Sequence, residues 1–182
     1  MIVLEGPDGG GKTTLQKKLI HIWHGMPPDN YDVQVIHSPG PLDKGLYYWA
    51  MKALRQAKPV CIFDRFPYFS EAVYGSLLRD HPCMTTLEFI ALRERLIRMR
   101  PLVIYCRPPL TTLQATRTVE DQMPGVLDHY EDIVNCYDDN VAQWIRDFRV
   151  FTYNFTGGQE ANDMLMKAIK SYVLEEQRGE IL

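Results

Sequence analysis

Ile2-Val3-Leu4-Glu5-Gly6-Pro7-Asp8-Gly9-Gly10-Gly11-Lys12-Thr13-Thr14 opens the chain and governs how the rest of it is read. Ile2-Val3-Leu4 is a short apolar run with β-branched residues, bounded by Gly6 and Pro7, and reads as a buried strand of a parallel sheet. From Lys12 onward Leu15, Leu19, Ile22 and Trp23 recur at helical spacing, until Gly25 and Pro27-Pro28 stop the pattern. Between strand and helix, Gly6-x-x-x-x-Gly11-Lys12-Thr13 matches the phosphate-binding P-loop pattern in the context that pattern requires. Gly6, Gly9, Gly10 and Gly11 allow successive backbone N–H groups to curl around an oxyanion, and the helix dipole adds partial positive charge. Lys12 is expected to reach the β- and γ-phosphates of ATP, and Thr13 to ligand Mg2+, with Thr14 beside it. Agreement of motif and context argues against a glycine turn that merely joins strand to helix.

Working outward, the same alternation continues. Strands are expected at Val33–Ile36, Val60–Phe63, Leu102–Cys106 and Val150–Tyr153. Helical patterns run from Leu46 to Lys58, Ser70 to Leu78, Thr86 to Arg100, Tyr130 to Ile145 and Ala161 to Glu176, with a further start near Thr111 that runs out before Pro124-Gly125. Strands alternating with helices predict an α/β fold: a five-stranded parallel sheet with helices on both faces and ligands at the carboxyl ends of the strands. At 182 residues the chain fits one domain, 1–182.

A net charge of -3 gives no general attraction to nucleic acid or anionic membrane, so any polyanion has to be held by a local patch. Cys61, Cys83, Cys106 and Cys136 are widely spaced without a Cys-x-x-Cys pair, the pattern of free thiols rather than a zinc or redox site. The apolar run at Ile2 leads straight into the glycine loop, leaving no room for a signal peptide, and no later stretch is apolar enough to span a bilayer. A cytoplasmic location is expected.

Asp64-Arg65 follows the apolar run Val60–Phe63, which sets a carboxylate and a guanidinium at the carboxyl edge of the sheet beside the phosphates. The Asp suits ordering of magnesium-bound water or acceptance of an acceptor's proton. The Arg suits neutralising the transferring phosphoryl group or holding an acceptor phosphate bidentately. Asp64, Arg65 and Lys12 are therefore the candidate catalytic residues, and Thr13 with Asp64 the candidate metal ligands.

Gly6-Pro7-Asp8-Gly9-Gly10-Gly11-Lys12-Thr13-Thr14 together with Phe63-Asp64-Arg65 resembles the thymidylate kinases and their deoxynucleotide-kinase relatives, a likeness spanning most of the chain. The resemblance implies the P-loop kinase fold with a short lid at about 116–125, and transfer of the γ-phosphoryl group of ATP to a deoxynucleoside monophosphate. It further implies that Asp8 meets the acceptor sugar and that Arg65, Ser70 and Tyr74 contact the acceptor. Arg117 falls where a catalytic lid begins, and Thr156-Gly157-Gly158 where a loop touches adenine. A dimer is also implied.

The chain departs from that family in its acceptor loop, where His37-Ser38-Pro39-Gly40-Pro41 replaces a common Arg-Glu-Pro-Gly-Gly, and in its lid, where Arg117 is the sole arginine. The run from Asp64 to Gly75 also resembles a divergent branch of phage-encoded P-loop kinases. That likeness implies, as an alternative, a kinase acting on 5-hydroxymethyluracil within DNA in the host cytoplasm. A third class, a nucleotide-binding switch that hydrolyses ATP or GTP slowly, shares the P-loop but leaves Asp64-Arg65 without a task.

Arg93, Arg95, Arg98 and Arg100 form no single stripe at about 100 degrees per residue, so a solvated or ion-paired face is expected of them. Tyr47, Tyr48 and Trp49 are expected chiefly to pack in the core, and His37 to serve as a local hydrogen-bond partner.

Overall fold

The computed structural model describes residues 1–24, 32–40, 45–79, 81–116 and 124–177. Its first half runs β1 (Ile2–Glu5), α1 (Lys12–His24), β2 (Gln34–His37), α2 (Leu46–Gln56), β3 (Cys61–Asp64) and α3 (Pro67–Leu78). The second half runs α4 (Thr86–Met99), β4 (Leu102–Cys106), α5 (Leu110–Thr116), α6 (Tyr130–Trp144), β5 (Arg149–Tyr153), a 3-10 turn (Phe155–Gly157) and α7 (Gly158–Gln177). The five strands form one sheet in the order β2-β3-β1-β4-β5, every pair parallel. This is the α/β architecture expected from the alternating pattern.

Strand periodicity of two divides the core between the two faces of the sheet. Val3, Phe63, Val103 and Tyr105 face α2, α3, α4 and α6, where they meet Leu54, Phe69, Leu96, Tyr137 and Trp144. Ile2, Leu4, Ile62, Leu102 and Ile104 face α1 and α7, against Leu15, Leu19, Trp23, Leu165 and Ile169. Each such side chain is worth about 1.5–3 kcal/mol when fully buried, so β1 and β4, buried along their whole length and covered on both faces, are firmly anchored. Since all strands run the same way, their carboxyl ends lie along one edge. The glycine loop, His37, Asp64-Arg65 and the turn after β5 are thereby brought together.

Element boundaries moved by one to three residues for local reasons. Helix α3 starts at Pro67, three residues earlier than the apolar pattern of 70–78, because proline at the first helical position has the required φ and its missing N–H is no loss there. Helix α4 closes at Met99 because Arg100 turns left-handed at φ 45, and it opens on Thr85, which exchanges capping bonds with Glu88. Helix α7 begins at Gly158 rather than 161. Tyr48 is 72% exposed, so the aromatic cluster opening α2 only partly packs inward. The lid residue Arg117 and residues 117–123 lie outside the described residues. Among the described residues no helix is long and apolar enough to cross a membrane.

Candidate active site

The glycine loop is held tight against β4. Gly6 has φ 134, and a Cβ there would stand 2.5 Å from the carbonyl oxygen of Cys106. Gly11 has φ 85, and a Cβ there would stand 2.8 Å from the ring of Phe155, which leans over the loop from the turn after β5. No other residue type fits both demands at either position. Lys12 folds back along the loop, its Nζ donating to the carbonyls of Gly6 at 2.9 Å and Pro7 at 2.8 Å. Burial, assisted by the positive charge of Arg65, pushes its ammonium down to about 8.

A cavity of about 750 Å3 opens over this loop. Asp8, Gly9, Gly11, Lys12, Thr13 and Thr14 form its floor. Asp64 and Arg65 enter from the end of β3, His37 and Ser38 from the end of β2, and Thr116 and Phe155 complete the rim. Two motifs far apart in the chain therefore share one space. Thr116 Oγ1 donates to the Gly9 carbonyl at 3.0 Å, and the Tyr130 hydroxyl donates to the carbonyl of Asp8.

Arg65 is the most constrained residue of the site. It sits at φ 63, in the left-handed region, where a non-glycine residue costs on the order of 1–3 kcal/mol. Its backbone N–H donates to Leu4 O at 3.0 Å. Its Nη2 donates to Asp8 Oδ1 at 2.7 Å and its Nη1 to the Tyr137 hydroxyl at 2.7 Å, while the guanidinium lies 4.9 Å from the centre of the Tyr74 ring. Burial alone would lower its pKa, but Tyr137, Tyr74, Asp8 and Glu5 together hold the guanidinium well above its ordinary value. Beside it, Asp64 Oδ2 lies 3.1 Å from His37 Nδ1, the local partnership expected of that histidine.

Sequence reasoning passed over Glu5, the last residue of β1. It is fully buried and accepts from Phe66 N at 2.7 Å, Ser70 Oγ at 3.0 Å and the Tyr137 hydroxyl at 3.1 Å. Burial raises its carboxyl pKa, opposed by Arg65 and by those donated bonds. A carboxyl at the end of an otherwise apolar strand was the available signal. Tyr137 was legible only as an apolar position of α6, and Phe155 had no local signal at all.

Ser70 and Tyr74 are near the site without lining the cavity. Ser70 Oγ is turned to Glu5, and Tyr74 lays its ring against Arg65 with its hydroxyl buried and, among the described residues, without a hydrogen-bond partner. Burial pushes that phenol up to about 12. Gly157 is exposed and closes a turn through its N–H to Asn154 O at 3.1 Å. Its neighbour Phe155 is the one that reaches the cavity. Arg93 and Arg98 are paired with Asp147 and Glu94, at 2.6 and 3.4 Å, and take no part.

The residues present fit a magnesium-bound triphosphate. Thr13 and Asp64 line the same cavity as Lys12, offering a hydroxyl and a carboxylate to a hard cation. Among the described residues no cluster of three or more His, Cys, Asp or Glu could hold a metal by itself.

Sheet order and glycine loop together make a parallel α/β P-loop fold, and solved structures of the same fold match over nearly the whole chain. The YorR protein of Bacillus subtilis, in complex with phosphorylated GDP, superposes with a TM-score of 0.69 at 19% identity, covering 97% of each chain. The deoxyadenosine kinase of M. mycoides with the products dCMP and dCDP superposes with a TM-score of 0.57 at 17% identity, covering 94% of this chain and 98% of that one. The same kinase with bound dATP gives 0.56 at 17% identity, with 93% and 98% covered. No protein-family model matches the chain, and no curated protein matches it.

Proposed function

We propose that this chain is an ATP-dependent phosphotransferase, one domain from 1 to 182, that passes the γ-phosphoryl group to a nucleotide-type acceptor of the deoxynucleoside monophosphate class. The observation carrying this reading is that Lys12 and Thr13 of the glycine loop share one cavity with Asp64-Arg65 of β3. A nucleotide-binding loop alone would serve a switch. A strained arginine held beside it by three groups serves transfer, where charge on the moving phosphoryl group has to be neutralised without reorganisation. The folds matched support phosphoryl transfer to a nucleoside or nucleotide, since the M. mycoides deoxyadenosine kinase was captured with dCMP and dCDP as products.

In this mechanism the loop from Gly6 to Thr14, with Lys12, holds the triphosphate tail of ATP. Thr13 and Asp64 would hold Mg2+, which when bound would supply charge neutralisation on the phosphates. Arg65 faces the transferring group. Asp8, already within 2.7 Å of Arg65, presents its carboxylate to the acceptor. Were the acceptor a hydroxyl in place of a phosphate oxyanion, Asp64 would take its proton instead of holding the ion, and the family resemblance assigns Arg117 as a further cation. Ser70 and Tyr74 act on the acceptor site through Glu5 and Arg65, against which they pack.

An acceptor screen with radiolabelled ATP and Mg2+ tests the reading. The panel holds every deoxynucleoside monophosphate, the nucleosides, and duplex DNA containing 5-hydroxymethyluracil. Label is expected on one or more monophosphates. Label confined to DNA would transfer the assignment to a polymer kinase, and ADP formation indifferent to every acceptor would leave a hydrolytic switch.

A further inference from the structure

The geometry points to Glu5 as a positioning residue for Arg65, holding both its backbone and its guanidinium in place. The inference rests on the phosphotransferase reading for its kinetic test and on side-chain geometry for the rest. Arg65 occupies a left-handed conformation that its own side chain disfavours, so something outside it has to fix the turn. Glu5 does so on the following peptide: its Oε1 accepts the N–H of Phe66 at 2.7 Å, at the junction where β3 gives way to α3. Phe66 has no side chain able to cap that helix. The buried carboxylate from the neighbouring strand instead satisfies the N–H of the N-cap residue itself, the bond that a capping-box glutamate would make from within the helix.

The second hold passes through Tyr137. Its hydroxyl donates to Glu5 Oε2 at 3.1 Å, which leaves the oxygen lone pairs facing Arg65 Nη1 at 2.7 Å. Proton bookkeeping makes the arrangement directional. Phe66 N–H, Ser70 Oγ–H and Tyr137 Oη–H all give their protons to Glu5, which an ionised carboxylate can accept and an amide cannot. A glutamine at position 5 would turn an NH2 toward either Phe66 N–H or the Tyr137 hydroxyl. In the first case two donors collide. In the second, Tyr137 Oη receives protons from both Arg65 and the amide, and its own proton has no acceptor. Either way one bond of the relay is lost while volume and packing are kept. Tyr137→Phe cuts the relay at its other end and spares the ring, which stacks on Tyr105 at 5.8 Å and meets the edges of Tyr74 and Trp144.

The test uses the full chain with Glu5→Gln, Tyr137→Phe, Arg65→Ala and the two doubles carrying Arg65→Ala. Loss of a hydrogen bond to a charged group converts to a fall in kcat of roughly 10- to 100-fold. That fall is expected for Glu5→Gln and Tyr137→Phe, with KM for ATP unchanged. In the Arg65→Ala background each is expected to change kcat by less than about twofold, because the group they position is gone. A merely structural role would add its full effect there. Wild-type kcat in Glu5→Gln and Tyr137→Phe, or equal effects in both backgrounds, overturns the inference. Should the wild-type protein transfer phosphate to no acceptor, the functional reading fails by itself. Glu5 is then judged by 15N NMR of the Arg65 Nη–H signals, with Arg65→Lys supplying the assignment. Protected signals in wild type that are lost in Glu5→Gln support the inference, and signals unchanged by the substitution overturn it.

Discussion

Gly75 lies in the interior of α3, and helix propensity alone says that alanine there should stabilise the protein by about 1 kcal/mol. The structure reverses that sign. A Cβ at position 75 would stand 2.7 Å from Glu71 Oε1 and 2.9 Å from Glu71 Cδ, inside van der Waals contact, with Arg79 Nη2 at 3.2 Å. Glu71 has nowhere to retreat. Its side chain is 4% exposed, it pairs with Arg79, and its Oε1 accepts the backbone N–H of Cys83 at 2.7 Å, which ties the α3–α4 connection to the helix. Disrupting a buried pair costs about 3–5 kcal/mol, so Gly75→Ala should lose roughly 2–4 kcal/mol net. For a chain of this size that lowers Tm by roughly 4–16 °C. The assay is thermal and urea unfolding followed by circular dichroism, on wild type, Gly75→Ala, Glu71→Ala and the double variant. With Glu71 truncated the obstacle is gone, and alanine at 75 should then stabilise by about 1 kcal/mol. A Gly75→Ala protein as stable as wild type, or the same change in both backgrounds, would refute the reasoning.

Lys12→Ala should abolish phosphoryl transfer while leaving the circular dichroism spectrum intact, and unimpaired transfer would remove the loop from the mechanism. Arg65→Lys should lower kcat by roughly 100-fold, because one ammonium cannot reach both Asp8 and the Tyr137 hydroxyl as the fork does; steady-state kinetics at saturating ATP measures it. Burial pushes the Cys106 thiol up to about 12. Alkylation of native protein at pH 8, followed by mass spectrometry, should therefore spare Cys106 and Cys61 and modify the partly exposed Cys83 and Cys136. Labelling of Cys106 before unfolding would contradict that.

How much of this was legible beforehand follows from the range of the forces involved. Ile2–Leu4, Val60–Phe63 and Leu102–Cys106 announced themselves because strands buried on both faces are apolar throughout. Their spatial order, with β1 between β3 and β4, is set by contacts between distant segments and leaves no local mark. The glycine loop was legible to the residue, since backbone curvature is written in glycines. Asp64-Arg65 was legible by its place at a strand end. The direction of Ser70, turned to Glu5 rather than into the cavity, depends on a partner 65 positions away. Glu5 stood beside the most conspicuous motif of the chain and was passed over, because a single carboxyl after three apolar residues looks like the end of a strand. The left-handed turn at Arg65 was invisible, since arginine is not a residue that advertises positive φ.

The approach of Gly6 to β4 has a consequence for repair by second-site change. What a side chain at position 6 would strike is the carbonyl oxygen of Cys106, part of the main chain. Trimming a neighbour offers no suppressor, since every residue at 106 carries that same oxygen. At position 11 the obstacle is the ring of Phe155, which a smaller residue would remove, though φ there still favours glycine. One glycine is thus fixed by the architecture of the sheet, and the other in part by the partner that rests on it.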